Sequence, residues 1–245
     1  MSSLQDLVDL HCHLIPYVDD GAYNEEECLE LLKQEAAQGV RTICMTPHLR
    51  ADMFESTDEQ VAEHFSMAEE LAREAGVPLT LCYSREYHYD RLLRTRLQTK
   101  DLLPLGTGNT LLVEFGGRED EAEMLEALDR VRRAGYIPLI AHVERCLAIH
   151  EDWAFAHDLR GAGALLQINA GSVLGREGLR QKLLTRRLLQ KNLVTVIASD
   201  AHDSEIRVPE LGLCAAHLES KYGRGLAERL LRDNPMAILN GQTIR

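Results

Sequence analysis

Short β-branched or aliphatic runs alternate along the chain with longer stretches in which apolar residues return every three or four positions. That alternation marks a parallel sheet whose strands are joined by crossover helices. The pattern predicts strands near Leu7 to Leu10, Thr42 to Met45, Leu79 to Tyr83, Leu111 to Phe115, Ile137 to Ala141, Leu165 to Asn169 and Val194 to Ala198. Helical period predicts helices over Asn24 to Gln38, Asp58 to Ala75, Glu119 to Ala134, Trp153 to Gly161 and Ser172 to Gln190. Gly39, Gly76 and Gly135 stand just past the first three as stop signals. Helices near Pro209 to Tyr222, Leu226 to Arg232 and Pro235 to Leu239 close the chain, and their apolar positions suit a core or an interface in a homo-oligomer. Seven strands is one fewer than the common eightfold barrel. No linker, repeat or low-complexity tract intervenes, so a single α/β domain over residues 1–245 is expected.

Charge narrows the functions. The chain carries 27 Lys+Arg against 39 Asp+Glu, a formal net charge of −12. Proteins that bind nucleic acid through its phosphates present a basic face, so a nucleic-acid partner is not expected. An anionic substrate would have to be met by a few placed cations or by metal. No stretch of about 18 apolar residues and no signal-peptide pattern occurs, so membrane insertion is not expected either. The six cysteines are scattered without C-x-x-C pairs, which suits the reducing cytoplasm.

In α/β barrels the chemistry gathers at the carboxyl ends of the strands. His11 and His13 follow the first predicted strand, His48 the second and Glu86 the third; Glu114 ends the fourth, His142 follows the fifth, and Asp200 and His202 follow the seventh. The sixth ends in Asn169, followed by Gly171 and Ser172, a source of hydrogen-bond donors. One histidine after a strand is ordinarily a loop or core residue. Spacing by two on an extended chain, however, puts His11 and His13 on one side, and Asp200 and His202 repeat the arrangement with a carboxylate. With Asp19 and Asp20 in the next loop, the set points to more than one metal ion. Histidine and carboxylate without cysteine suit Mn, Fe or Zn bridged by carboxylates, not a structural thiolate site. His64, His150, His157 and His217 fall within helical patterns and read as solvated, while Tyr87 and His88 are candidates to line a mouth. Cys44 to Arg50 also fits the C-x5-R spacing of cysteine phosphatases. Cys44 lies in a predicted buried strand, where a thiolate is unfavourable, and Pro47 removes a backbone donor that a phosphate cradle needs.

The segments DLHCHLIPYVDDG from Asp9 to Gly21, TPH from Thr46 to His48, Glu86, VEF from Val113 to Phe115, AHVER from Ala141 to Arg145 and ASDAH from Ala198 to His202 together resemble the PHP (polymerase and histidinol phosphatase) superfamily. Within it the chain is most similar to the bacterial manganese-dependent protein tyrosine phosphatases of capsule and exopolysaccharide systems, the CpsB type. The resemblance extends from Asp9 to Gln242 and implies a distorted seven-stranded (β/α)7 barrel with three divalent metal ions, manganese ahead of iron or zinc. Carried over by position, it makes His11, His13, Asp20, His48, Glu86, Glu114, His142, Asp200 and His202 the metal ligands, selecting Asp20 from a pair that spacing leaves ambiguous. It makes Arg145 and Arg207 the phosphate-binding cations. Asn169, at the end of the sixth predicted strand, is a candidate substrate donor, and either His202 or metal-bound water a candidate to protonate the leaving group. The implied substrate is a phosphotyrosine protein, a bacterial tyrosine kinase of polysaccharide synthesis. A small phosphomonoester such as histidinol phosphate is the rival substrate, and a silent metal- or partner-binding barrel the non-enzymatic alternative. The chain departs from the pattern at Arg85, where relatives usually carry a small residue; this side chain either adds a cation to the site or points outward.

Overall fold

The computed structural model describes residues 4–244. Among these, nine strand segments run parallel: β1 Leu7–Asp9, β2 Val40–Met45, β3 His48–Leu49, β4 Thr80–Tyr83, β5 Glu86–His88, β6 Thr110–Glu114, β7 Ile137–Ile140, β8 Leu165–Asn169 and β9 Val196–Ala198. They form a three-stranded sheet, ordered β1-β2-β4, and a six-stranded sheet, ordered β3-β5-β6-β7-β8-β9. The second and third strands expected from the sequence are each continued past a break. Pro47 has no N–H to give a ladder, so β2 stops at Met45 and the chain re-enters the second sheet as β3. Ser84 and Arg85 interrupt β4 and β5 at the same level, and Ser84 N–H to Met45 O (2.9 Å) and Glu86 N–H to Pro47 O (3.1 Å) carry the two chains side by side across the break. Glu86 and His48 therefore begin short strands of their own.

Residues alternate between the two faces of each strand, and both faces are apolar, as a parallel sheet covered on both sides requires. Leu7, Ile43, Leu111, Val113, Ile140 and Ile197 join the cluster that packs against the helices. Val8, Cys44, Leu112, Leu139 and Val196 point the other way into a smaller cluster closed by Leu105, Ile238 and Leu239. Strands from both sheets thus share one inner core below the level where the polar residues begin.

The helices follow local capping chemistry. Asn24 caps α1 (Glu25–Ala37), capping boxes of Thr57 with Gln60 and Asp120 with Glu123 start α2 (Asp58–Glu74) and α4 (Glu121–Arg133), and Asp90 caps α3 (Arg91–Thr99). Helix α3 escapes hydrophobic patterning because only Leu93 and Leu97 are buried. After α5 (Leu147–Glu151) and α6 (Phe155–Gly161), the single helix expected over Ser172 to Gln190 is two, α7 (Ala170–Leu174) and α8 (Leu179–Gln190). Gly175 and Gly178, with φ of +89° and +102°, break it in conformations that favour glycine. Helices α9 (Leu211–Tyr222), α10 (Arg224–Glu228) and α11 (Asn234–Leu239) end the fold, the last two joined by a π turn.

The first and last strands are tied by side chains as well as backbone. Asp9 accepts from Ser199 Oγ (2.5 Å), Ser199 N–H (3.1 Å) and His11 N–H (3.3 Å), and a parallel bridge pairs Cys12 with Ala201. Behind Asp9, α1 presents the fully buried Glu35. Burial and the neighbouring Asp9 hold the Glu35 carboxyl well above its ordinary 4.5. The folded chain therefore keeps a proton that the unfolded chain releases, so this group's contribution is complete below pH 4.5 and declines as pH rises above it. Glu35→Gln keeps the shape without that penalty: its urea midpoint should exceed wild type at pH 8, and the gain should shrink on lowering the pH to 5.

Candidate metal centre

One rim of the sheets gathers a single polar cluster, from the loops after β1, β7 and β9, the last residue of β6 and the first residues of β3 and β5. Glu86 sits at its middle, fully buried, with four imidazoles around its carboxylate. Its Oε1 lies 3.0 Å from His142 Nε2 and 3.2 Å from His11 Nε2; its Oε2 lies 2.8 Å from His48 Nδ1 and 3.3 Å from His13 Nε2. Close as they are, Glu86 Oε2 and His48 Nδ1 are not aligned as a hydrogen bond, and His202 Nε2 is likewise buried without a partner. His11 Nε2 and His13 Nε2 face each other at 3.2 Å. Nitrogens and carboxylate oxygens that converge with several of them left unpartnered are the arrangement a cation completes.

The far side of each ring explains why its inner nitrogen is available. His11 gives Nδ1–H to Gln167 Oε1 (3.1 Å), His13 gives Nδ1–H to Asp19 Oδ2 (2.6 Å), and His202 gives Nδ1–H to the Asp200 carbonyl (3.0 Å). Each bond fixes the tautomer that leaves Nε2 as a lone-pair donor. The Asp19–Asp20 pair divides its work. Asp19 also accepts the N–H of Gly21 (3.0 Å) and His48 (2.9 Å), so it orients ligands. Asp20, the exposed member of the cluster, reaches His48 Nε2 at 3.4 Å and His202 Nε2 at 3.7 Å. The loop needs Gly21, because a Cβ there would lie 2.0 Å from the carbonyl oxygen of His13.

Four overlapping donor sets arise, with donor atoms within 4.8 Å of one another: His13, Asp20, His48 and His202; His11, Glu86 and His142; His11, His13 and Asp200; His48, Glu86 and Glu114. All nine residues that the sequence nominated as ligands are in these sets. Their chemistry, imidazole and carboxylate with shared members, fits a cluster of hard-to-borderline divalent ions. Two occupy left-handed backbone positions, His142 at φ +28° and Asp200 at φ +55°, strain of the kind that gathers at functional sites.

The electrostatics agree. Burial alone would lower the His11 imidazole, but Glu86 and Asp200 outweigh it and push it up to about 9; Glu86 and Asp19 likewise bring His48 to about 10. His202 goes the other way, held down to about 2 by burial and by His13 beside it. Against burial, His11, Arg145, His142 and Arg207 hold Asp200 well below the usual carboxylate range.

Asp200 joins the ligand cluster to the cations. Its Oδ1 faces His11 Nε2 at 3.4 Å, while Oδ2 is ion-paired with Arg145 Nη1 (2.8 Å) and accepts from Arg207 Nη2 (2.9 Å) and Asn169 Nδ2 (2.7 Å). Arg145 also donates through Nε to Glu177 (2.9 Å). Both arginines line a cavity of about 290 Å³ that opens beside Asp200 and includes Arg176, Glu177 and Ile206. Asn169, expected to meet substrate, gives its amide to Asp200 and to Glu177 Oε1 (3.2 Å), a supporting position. His88 holds Glu114 through Nδ1 (3.1 Å), and Tyr87 is buried with its hydroxyl accepting Leu103 N–H. Arg85 takes neither place considered for it. It is fully buried and turned away from the cluster, giving Nη2–H to the carbonyls of Ser56 (2.8 Å) and His48 (3.3 Å).

Some functional neighbours were invisible in the sequence. Gln167 lies mid-strand in an apolar run, and its Oε1 also accepts His142 N–H at 2.7 Å. Glu144 is fully buried and holds Asn169 N–H at 2.9 Å. Only the alternation of β8, which turns Gln167 to the same face as Asn169, hints at such a role. Cys44 is buried in β2, and the neighbouring Cys82 thiol and burial keep its own thiol well above the ordinary value, unsuited to a nucleophile.

Asp19→Asn should keep the fold and weaken metal binding by about 10- to 100-fold, the usual effect of losing a carboxylate that orients a ligand. Competition against a chelating dye measures it, with the surface variant Glu70→Gln expected to match wild type.

Relatives of known kind share this architecture. Over 243 residues, 97% of this chain and all of the relative, the sequence is 32% identical to the tyrosine-protein phosphatase CpsB of Streptococcus pneumoniae. It is 30% identical to the tyrosine-protein phosphatase YwqE of Bacillus subtilis over 238 residues, covering 97% of this chain and 93% of the relative. A crystal structure from a study of YwqE from Bacillus subtilis and CpsB from Streptococcus pneumoniae, described as metal-dependent tyrosine phosphatases, superposes with a TM-score of 0.90 at 30% identity, covering 98% of this chain and 96% of the other. The histidinol phosphate phosphatase of Lactococcus lactis superposes at a TM-score of 0.58 with 16% identity, covering 90% and 95%, which is a likeness of fold. Residues 7–240 match the family model for capsular polysaccharide synthesis proteins CpsB/CapC, and the chain belongs to that family.

Proposed function

We propose that this chain is a metal-dependent hydrolase of phosphomonoesters whose substrate is phosphotyrosine in a protein. The observation that carries this is the joint placement of the imidazole and carboxylate cluster around Glu86 and the two arginines on Asp200. That relatives along nearly the whole chain are tyrosine-protein phosphatases supports phosphotyrosine as substrate rather than histidinol phosphate, and the filled set of candidate ligands weighs against a silent barrel. The capsule family favours a bacterial tyrosine kinase of polysaccharide synthesis as the physiological substrate. Three divalent ions, manganese foremost, are what the family resemblance implies, and the sharing of His11, His13, His48 and Glu86 between donor sets suits ions held close together. Six free cysteines and the lack, among the described residues, of a helix able to cross a membrane accord with a cytoplasmic place of work. We read the two sheets as one distorted seven-stranded (β/α)7 barrel, a single domain over residues 1–245. The paired continuation of β2 into β3 and β4 into β5, the inner apolar cluster and the Cys12–Ala201 bridge support this.

The ligands His11, His13, Asp20, His48, Glu86, Glu114, His142, Asp200 and His202 would hold the metal, which in such chemistry supplies hydroxide at neutral pH and Lewis-acid binding of phosphoryl oxygens. Arg145 and Arg207 present guanidinium forks at the edge of the cluster, the geometry that suits phosphate oxygens and the charge that builds on them. Glu177 and Asp200 aim Arg145, and Asn169 keeps Asp200 Oδ2 turned toward the arginines. His202 stays neutral with its only N–H on a backbone carbonyl, so it serves as a ligand and is a poor proton donor to the leaving group. A phenolate, with a pKa of about 10, leaves without full protonation, which matches that lack.

Purified protein stripped of metal and reloaded with manganese should release phosphate from a phosphotyrosine peptide in preference to histidinol phosphate; the opposite preference would move it to small-molecule chemistry. Arg145→Ala should lose about 100- to 1,000-fold in kcat/KM with metal content unchanged, as for removal of a donor to developing oxyanion charge. Cys44→Ser should retain wild-type turnover, and an inactive, folded, metal-loaded Cys44→Ser protein would restore the cysteine mechanism.

A further inference from the structure

Outside the site, one surface departs sharply from the charge of the molecule. The stretch Leu179–Lys191, which is α8 and its last cap, holds five of the chain's 27 basic residues and none of its 39 acidic ones. Leu184, Leu188 and Leu189 anchor the inner side of the helix in the core. On the outer side Leu179 and Leu183, one turn apart, are 70% and 56% exposed, and Arg180 and Arg186 are exposed with them. Across a shallow groove, α9 supplies His217 and Lys221, and Leu213, one turn before His217 and 50% exposed, extends that face. Of the carboxylates flanking this surface, Glu177 is paired with Arg145 and Glu210 with Arg176, and α9 carries Glu219 between His217 and Lys221.

Exposed leucines interleaved with cations on one helical face are the pattern of a helix that lies in a membrane interface, where leucine enters the acyl boundary and long cationic side chains reach the headgroups. We propose that the α8 face, with the facing side of α9, docks the protein peripherally on an anionic lipid surface. Charge complementarity names the occupant: an acidic protein has little reason to gather five cations without a carboxylate on one helix unless that face meets negative charge. The leucines favour lipid over an acidic protein partner, because two leucines spaced one turn apart fit a fluid apolar layer without a shaped pocket. Two leucines also make the attachment weak and dependent on salt. The consequence for function is positional. Leu179 follows Glu177 of the arginine-lined cavity by two residues, so docking by α8 sets the mouth of the site beside the surface.

The test is co-sedimentation of the full chain with vesicles of phosphatidylcholine alone and of phosphatidylcholine mixed with phosphatidylglycerol. The expected result is binding to the mixed vesicles only, suppressed by high salt, with a change in emission from Trp153, the sole tryptophan, which lies beneath Arg187 and Lys191. Arg180→Glu with Arg186→Glu should weaken that binding by about tenfold or more, and Leu179→Ser with Leu183→Ser should weaken it measurably, both with wild-type hydrolysis of a soluble aryl phosphate as the check on folding. Absence of binding, equal binding to neutral vesicles, or unchanged binding by the charge-reversed protein would overturn the proposal. So would a shift from oligomer to monomer in the same variants by sedimentation velocity, which would assign the face to a second copy of the chain.

Discussion

The Glu86 carboxylate is the point on which the structure turns. Four imidazoles from three separate stretches of backbone approach its two oxygens between 2.8 and 3.3 Å, in an interior where an isolated charge would be costly. Nothing local to Glu86 could hold it there. It is at the right depth because Pro47 ends one ladder and Ser84–Arg85 ends the next, so that His48 and Glu86 start paired segments, opposite each other, at the beginning of the second sheet. The irregularities of the sheet and the convergence of the cluster are therefore one feature.

A second layer makes the first usable. Gln167, Asp19, the Asp200 carbonyl and Asn169 touch the clustered residues from behind and fix tautomers and angles, and Glu144 in turn holds Asn169. Within the cluster itself the rings differ in their hold on a proton. Carboxylates raise the basicity of His11 and His48, so protons and metal compete there, whereas His202, crowded by His13, stays open to metal across the ordinary pH range. An acidic protein with a net charge of −12 can thereby present a locally cationic site to an anionic substrate.

The strand positions and the clustering of the nine residues nominated as ligands were legible in the sequence because both depend on short-range rules: apolar runs make strands, and the first polar residues after them face the rim. The breaks at Pro47 and Ser84–Arg85 were not legible, since they follow from how neighbouring strands register and not from either strand alone. Helix α3 was missed because two buried leucines carry it, and the expected 172–190 helix is divided by glycines whose role depends on turn geometry. Arg85 shows the limit most directly. Its type suggested a cation for the site, but its direction is set by the carbonyls of His48 and Ser56, which no spacing in the sequence reveals.

The sharing of Asp200 Oδ2 by Arg145, Arg207 and Asn169 has a consequence for how phosphate comes and goes. The two guanidinium groups already have an anion, one built into the chain. In the proposed role of Arg145 and Arg207, an incoming phosphoryl group would not fill an empty cationic trap; it would exchange with, or add to, an internal carboxylate, and gain only the difference. Release of inorganic phosphate would be the reverse exchange, with the carboxylate ready to take back the arginines. The protein thus carries its own competitor at the one place where a tight grip on the product would hold up the next turnover.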